Sequence, residues 1–248
     1  MLDLPRYFLR CIVIALESIL KGVFMFYEPG KSGHGLPHDP FKSLVVPRPI
    51  GWISTYAADG TPNLAPYSFF NAVGYAPPIV MFSSGARRPD FSHKDSAFNA
   101  EQTGVFVVNM VSYELRDQMT ISAEEVEPNI NEFELAGLEM GQATTVNAPL
   151  VVAAPAHLEC KYVQTVKLAG TQPGSYSTVI FGEVIGVHIR DDFLTDHGRV
   201  DVEKIRPVAR LGYMDYSSVE SVFSMKKLMP EDGQTPGESG TNITRKLG

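Results

Sequence analysis

Hydrophobic residues fall in short runs through most of the chain, and clusters of Gly, Pro and polar residues separate them, which is the pattern of strands and turns. Ile50, Trp52 and the run Ile53 to Thr55 are rich in side chains that suit a pleated surface, and Asp59-Gly60 behind them is a favoured hairpin pair. Pro47 and Pro49 bracket Arg48, hold the entry extended and, lacking donors, place the start of this strand at a sheet edge or rim. Residues 79–84 (IVMFSS) predict a short strand ending in serines, and 105–110 (VFVVNM) is the near-continuous apolar run of a strand buried on both sides. Residues 156–168 and 177–189 predict a long hairpin joined across 169–176, with Gly182 and Gly186 marking bulges or tight bends.

Helical patterning is sparser. Residues 6–24 place Phe8, Ile12, Ala15, Ile19 and Val23 roughly on one face, residues 97–103 end at Gly104, and Ser112 caps a short helix through Met119. Charges at Arg6, Arg10, Glu17 and Lys21 break the first segment, so its apolar run falls short of the roughly 20 residues that a bilayer requires. A signal peptide fits poorly, since Glu17 and Lys21 cut the apolar core and no small-residue cleavage site follows. The reading is an added helix or an upstream misassigned start. Residues 27–40, rich in Gly, Pro and His, form an irregular connector. The acidic stretch 121–147 reads as a helical or looped excursion, and the Gly-rich polar tail from 229 to 248 as disordered.

The stretch Ala65-Pro66-Tyr67-Ser68-Phe69-Phe70-Asn71 keeps neither a strand's alternation nor a helix's period. It reads as a loop whose small centre lets backbone N–H groups approach a flat ligand while aromatic neighbours exclude water, or alternatively as a buried barrel corner. A second place of interest precedes the helix at 97–103. There Arg87, Arg88, Ser92, Lys94 and Ser96 gather where a helix begins, an arrangement that favours an anion, with an ordinary cap at Ser92 or Asp95 as the simpler reading.

Composition narrows the class. At 248 residues the chain fits one domain with extensions, and 44% hydrophobic against 20% charged residues suffice for an ordinary core. A net charge of -7 without clustered Lys and Arg argues against nucleic acid. Cys11 and Cys160 match no metal spacing and suit a reducing, cytoplasmic setting, Cys160 as a core thiol on a strand. No GxGxxG fingerprint, nucleophile elbow or metal cluster appears, so hydrolase and Rossmann dehydrogenase readings have no support. His157 and Glu159 share a strand face by their spacing, either as an acid-base pair or as a plain surface pair.

PRPIGWIST at 47–55, APYSFFN at 65–71, Ala76-Pro77-Pro78-Ile79-Val80 and His93-Lys94-Asp95-Ser96 together resemble the flavin reductase-like family of FMN-binding split-barrel proteins, which includes flavoredoxin. The resemblance spans residues 25–228 and implies a Greek-key split β-barrel holding FMN at a homodimer interface. By it, Ala65, Tyr67, Ser68, Phe69 and Asn71 face the isoalloxazine, while Ser54, Thr55, Ser83, Arg88, Lys94 and Ser96 serve the ribityl chain and phosphate. Arg210, in a segment like the family's Arg-Leu-Gly, is a flavin or interface contact or a structural ion-pair partner. The implied activity is an NAD(P)H-dependent flavin reductase taking NADH or NADPH, with no membrane or nucleic-acid partner. Gly174-Ser175-Tyr176 stands where many family members carry Gly-Asp-His, which keeps open a flavoredoxin-like carrier reduced by a redox partner protein.

Overall fold

The computed structural model describes residues 24–31, 33–85, 94–127, 129–171 and 173–225. The helix expected over 6–24, the tail from 229, and Arg87, Arg88 and Ser92 lie outside the described residues.

After the short β1 (Arg48–Pro49), which pairs elsewhere, the predicted hairpin forms as β2 (Gly51–Tyr56) and β3 (Pro62–Tyr67). Its turn is closed by Gly60 N donating to Ala57 O at 2.9 Å and by Asp59 Oδ1 accepting from Thr61 N at 3.0 Å. Gly60 sits at φ +90, a left-handed conformation that a side chain disfavours. The expected loop over 65–71 is mostly strand. β3 continues through Ala65, Pro66 and Tyr67, and β4 (Phe70–Tyr75) starts after only Ser68 and Phe69. Pairing of Gly51 with Tyr67 and Trp52 with Pro66, then of Phe70 with Phe82, imposes extension on residues whose local pattern does not ask for it.

β5 (Pro78–Gly85) precedes helix α1 (Asp95–Thr103), which ends where Gly104 takes φ 75 and returns its N–H to Ala100 O. β6 (Val105–Asn109) follows, buried along nearly its whole length. The helix expected from Ser112 divides into a 3₁₀ turn, Tyr113–Leu115, and α2 (Arg116–Ile121), and Ser112 supplies no side-chain cap. Next come α3 (Glu132–Leu135), β7 (Met140–Gln142), β8 (Pro149–Val151), the long hairpin β9 (Ala156–Ala169) and β10 (Tyr176–Ile189), α4 (Val202–Ile205), β11 (Val208–Arg210) and β12 (Tyr216–Ser218).

Seven strands form one antiparallel sheet in the order β3-β2-β6-β9-β10-β5-β4, with β1-β11-β12 as a small second sheet. β3 and β4 stand at opposite ends of that order, yet two residues join them. The sheet must therefore curl until its ends meet, and because no ladder connects β3 to β4 the barrel is split there. Packing closes the gap: a Cβ on Gly51 would lie 2.5 Å from Phe70 Cδ2, and the rings of Tyr67 and Phe82 stand 5.0 Å apart. The register shifts at Phe181/Gly182 and Val184/Gly186 are the bulges anticipated at those glycines. A Cβ on Gly182 would come within 2.5 Å of Phe106 Cε1, so the position is small because a core ring crosses it.

β2 is buried on both faces. Ile53 joins the barrel interior with Phe82, Phe106, Cys160 and Ile180, while Trp52 turns outward into a second cluster with Leu64, Met119, Phe133 and Val151. The second cluster ties α2 and α3 to the barrel wall, and that attachment sets one side of the site.

Candidate functional site

A groove opens between β3, the start of α1 and the chain that leaves α2, with Ala65, Tyr67, Lys94, Ser96, Ser122 and Glu125 among its walls. The residues that shape it come from distant parts of the sequence, and buried polar bonds hold them together. Ser96 Oγ donates to Asn63 Oδ1 at 2.8 Å, Asn63 Nδ2 donates to Glu132 Oε1 at 2.9 Å, and Leu64 N donates to Glu132 Oε2 at 3.0 Å. Asn99 Nδ2 donates to Thr55 Oγ1 at 3.1 Å behind them. Trp52 Nε1 donates to Ser122 Oγ at 2.8 Å, and that hydroxyl passes its own proton to Met119 O at 2.9 Å. Such paired donors and acceptors fix the groove at little cost, whereas one missing partner would leave a buried polar group exposed to apolar surroundings.

Electrostatics at the groove are mixed. Lys94 is the N-cap of α1 and contributes no side-chain acceptor to the first-turn amides, so the positive end of a nine-residue helix faces the opening beside an ammonium group. Its Nζ lies 3.9 Å from Glu125 Oε1, with Lys94 partly and Glu125 mostly exposed, a pair that contributes little. Burial raises the Glu132 carboxyl, the bonds from Leu64 N and Asn63 lower it in part, and the charge of Asp95 raises it further.

Of the eleven residues that the resemblance implies, Ala65, Tyr67, Lys94 and Ser96 line this one groove. Ser68 and Phe69 form the turn at the split, where Ser83 N donates to Phe69 O at 2.8 Å and the Arg48 guanidinium lies 5.7 Å over the Phe69 ring. Asn71 is exposed on β4, its Oδ1 accepting from Ala72 N. Ser54 and Thr55 are fully buried: Ser54 Oγ donates to Pro149 O at 2.6 Å and accepts from Asn109 Nδ2 at 2.9 Å, and Thr55 Oγ1 is engaged by Asn99. Their hydroxyls bind the barrel to itself. Arg88 lies outside the described residues. Arg210 donates to Tyr216 Oη and to Tyr213 O in the turn between β11 and β12.

Sequence reasoning passed over Asn63, Glu132 and Ser122, which organise the groove. Glu132 sits in the acidic excursion of residues 121–147, and only the folded chain, which brings it to Asn63 Nδ2 and Leu64 N, marks it out. Glu159 was the other surprise of position. It is fully buried and accepts from Thr144 N at 2.8 Å, Thr145 N at 2.6 Å, Val146 N at 3.0 Å, Thr145 Oγ1 and His188 Nε2. Burial alone would raise its carboxyl, but these bonds bring it down to about 2. His157 instead bonds Val151 O through Nε2, at 2.8 Å. The two residues thus serve separate partners. Burial pushes the Cys160 thiol well above its ordinary range, in keeping with a core position.

A barrel split between β3 and β4, with a groove of backbone and small polar groups beside the split, defines the class of flavin reductase-like split barrels. The chain belongs to that family: the flavin reductase like domain model matches residues 43–204. An uncharacterised protein of Aquifex aeolicus is 44% identical over 169 residues, covering 68% of this chain and 83% of its own. Nitrilotriacetate monooxygenase component B from Bacillus cereus superposes with a TM-score of 0.74 at 25% identity, over 82% of this chain and 98% of that one. Flavoredoxin of Desulfovibrio vulgaris shares the fold, with a TM-score of 0.63 at 20% identity, covering 81% of this chain and 97% of its own. Among the described residues no helix is long and apolar enough to cross a membrane. Membership makes the chain a flavin-related redox protein.

Proposed function

We propose that the chain binds FMN in this groove and works as a cytoplasmic, NAD(P)H-dependent flavin reductase, as a homodimer. The observation that carries the reading is the convergence of Ala65, Tyr67, Lys94 and Ser96 on one groove in a chain of this family. Bound FMN would accept a hydride and pass electrons on, and the protein would supply orientation and exclusion of water.

The donor set fits such a group. β3 and the Ser68-Phe69 turn offer backbone groups beside Tyr67 for a flat ring, and Lys94 at the start of α1 offers a cation, beside the positive end of the helix, for a phosphate. Asp95, Glu124 and Glu125 oppose that charge, so Lys94 is the residue on which phosphate recognition turns. Glu132 acts indirectly, holding Asn63 and through it Ser96 in place.

The enclosed space of the groove is only about 50 Å³, far less than a flavin occupies, which supports a site completed by a second copy. Val73 and Tyr75 on the free edge of β4, and Val163, Leu168, Ile185 and Val187 on β9 and β10, are exposed apolar side chains suited to a two-fold contact.

One observation favours the carrier alternative. Gly174 and Ser175 lie in the connection of the β9–β10 hairpin, where Gly174 takes φ +81 and Gly170 N donates to Ser175 O at 2.8 Å, and Tyr176 opens β10, so none of the three supplies an imidazole. The visible spectrum of the purified protein, followed by NADH or NADPH added without oxygen, separates the readings. Bleaching of a flavin spectrum by either nucleotide supports the reductase; a flavin spectrum unmoved by both supports the carrier; protein that is colourless and fails to take up FMN refutes flavin binding.

A further inference from the structure

We propose that Arg48 and Arg210, outside the groove, form a site for a carboxylate borne on an aromatic molecule. The two residues stand directly opposite each other in the ladder between β1 and β11, so their side chains leave the same face, where like charges repel. Arg48 is only 7% exposed. Its Nη1 donates to Lys42 O and, at 2.8 Å, to Val45 O, while its Nε is sealed from water with no acceptor. Arg210 donates through Nη1 to Tyr216 Oη and through Nη2 to Tyr213 O. These oxygens orient the two cations but carry no compensating charge, and among the described residues no carboxylate pairs with either. A buried cation left that way is costly. Burial first, and the charge of Arg210 second, lower the Arg48 guanidinium from its ordinary value. In a chain of net charge -7, two adjacent cations without an acid are the exception.

A second sealed polar atom lies in the same place. Ser43 Oγ has no partner, belongs to the 3₁₀ turn Phe41–Ser43 beside the carbonyls that hold Arg48, and is where a Cβ on Gly212, just past β11, would collide. Two of the three such atoms among the described residues thus fall between this turn and the end of β11, which marks a spot where an ion is missing. The open donors define the ligand. Arg48 Nη2 and Arg210 Nε bond nothing among the described residues and are not sealed, so one N–H edge from each arginine matches the two oxygens of one carboxylate. A phosphate group would bring a third oxygen to two donor edges. The Phe69 ring, 5.7 Å from the Arg48 guanidinium and 46% exposed, supplies an apolar wall beside the charge. A small aliphatic acid leaves that ring in water, and an aromatic acid covers it.

Isothermal titration of the full chain with phenylacetate, phenylacetamide, acetate and inorganic phosphate tests the site on wild type, Arg210→Gln, Phe69→Ala and Lys94→Ala. Wild type should bind phenylacetate at millimolar concentration or below, and should bind the uncharged phenylacetamide and inorganic phosphate at least about tenfold more weakly. Arg210→Gln removes a charge-assisted bond and should weaken phenylacetate by about tenfold or more. Phe69→Ala keeps both guanidiniums and their bonds, so it covers the case of a poorly folded Arg210→Gln. It should bring phenylacetate toward the affinity of acetate and leave acetate unchanged. Lys94→Ala, in the groove, should change neither. Four results overturn the proposal: no binding of phenylacetate to wild type at millimolar concentration, phenylacetamide or phosphate bound as tightly as phenylacetate, phenylacetate unchanged in both Arg210→Gln and Phe69→Ala, or phenylacetate lost in Lys94→Ala. The site does not rest on flavin binding in the groove, which titration of Lys94→Ala with FMN reads separately.

Discussion

Replacing Glu159 with Gln should cost the fold about 3 kcal/mol at neutral pH. The carboxylate is fully buried, and its five donors hold the loop of residues 144–146 and His188 on β10 against β9. A carboxyl brought from 4.5 to about 2 favours its charged form by roughly 2.5 × 1.36, or about 3 kcal/mol. Gln keeps the volume, loses the charge and turns an NH₂ group towards donors, so the full amount should be lost. For a chain of this size each kcal/mol moves the melting temperature by about 2–4 °C, so the variant should melt roughly 6–12 °C lower. The pH dependence has a definite sign. A depressed carboxyl contributes fully above the ordinary value near 4.5, and its contribution disappears as pH falls through about 2. The assay is a set of thermal or urea melts of wild type and Glu159→Gln between pH 7 and pH 2. The gap between the two should be widest at neutral pH and shrink toward acid. A variant that melts within about 1 °C of wild type at pH 7, or a gap that stays constant with pH, refutes the reasoning.

Gly182→Ala should destabilise by about 1–3 kcal/mol, since its Cβ would lie 2.5 Å from Phe106 Cε1 and 3.2 Å from Cys160 Cβ, and urea melts check it. Cys160 should resist thiol reagents in the native protein and react in urea, because burial raises its thiol and leaves it no exposed surface; peptide mass spectrometry reads the site. Ser122→Ala strands the Trp52 indole N–H, so about 1–3 kcal/mol of stability should be lost, and the emission of this single Trp should change with it.

Much of the barrel was legible because its signals are local. Asp59-Gly60 names its own turn, Gly104 stops its own helix, and Gly182 and Gly186 break the pattern of the strand that they bend. Residues 65–71 were not legible as strand, since their extension comes from partners at Gly51–Trp52 and Met81–Phe82 rather than from their own periodicity. The site divides in the same way. Lys94 and Tyr67 could be placed from motif order, but nothing in PRPIGWIST tells which way a serine points on a strand buried on both faces, and the Ser54 hydroxyl turns to Pro149 O. Asn63 and Glu132 stand 69 positions apart, and only the folded chain brings one to the other.

The central claim is that Lys94 meets the phosphate of FMN in the groove beside β3. A paired fluorescence titration of flavin-free protein with FMN and with riboflavin, on wild type, Lys94→Ala and Ser96→Ala, tests it directly. Lys94→Ala should weaken FMN by about 10- to 150-fold, the worth of one charge-assisted hydrogen bond, and leave riboflavin unchanged. Ser96→Ala, which removes the bond to Asn63, should affect both flavins alike. Equal losses for the two flavins in Lys94→Ala, or no loss for either, would contradict the account.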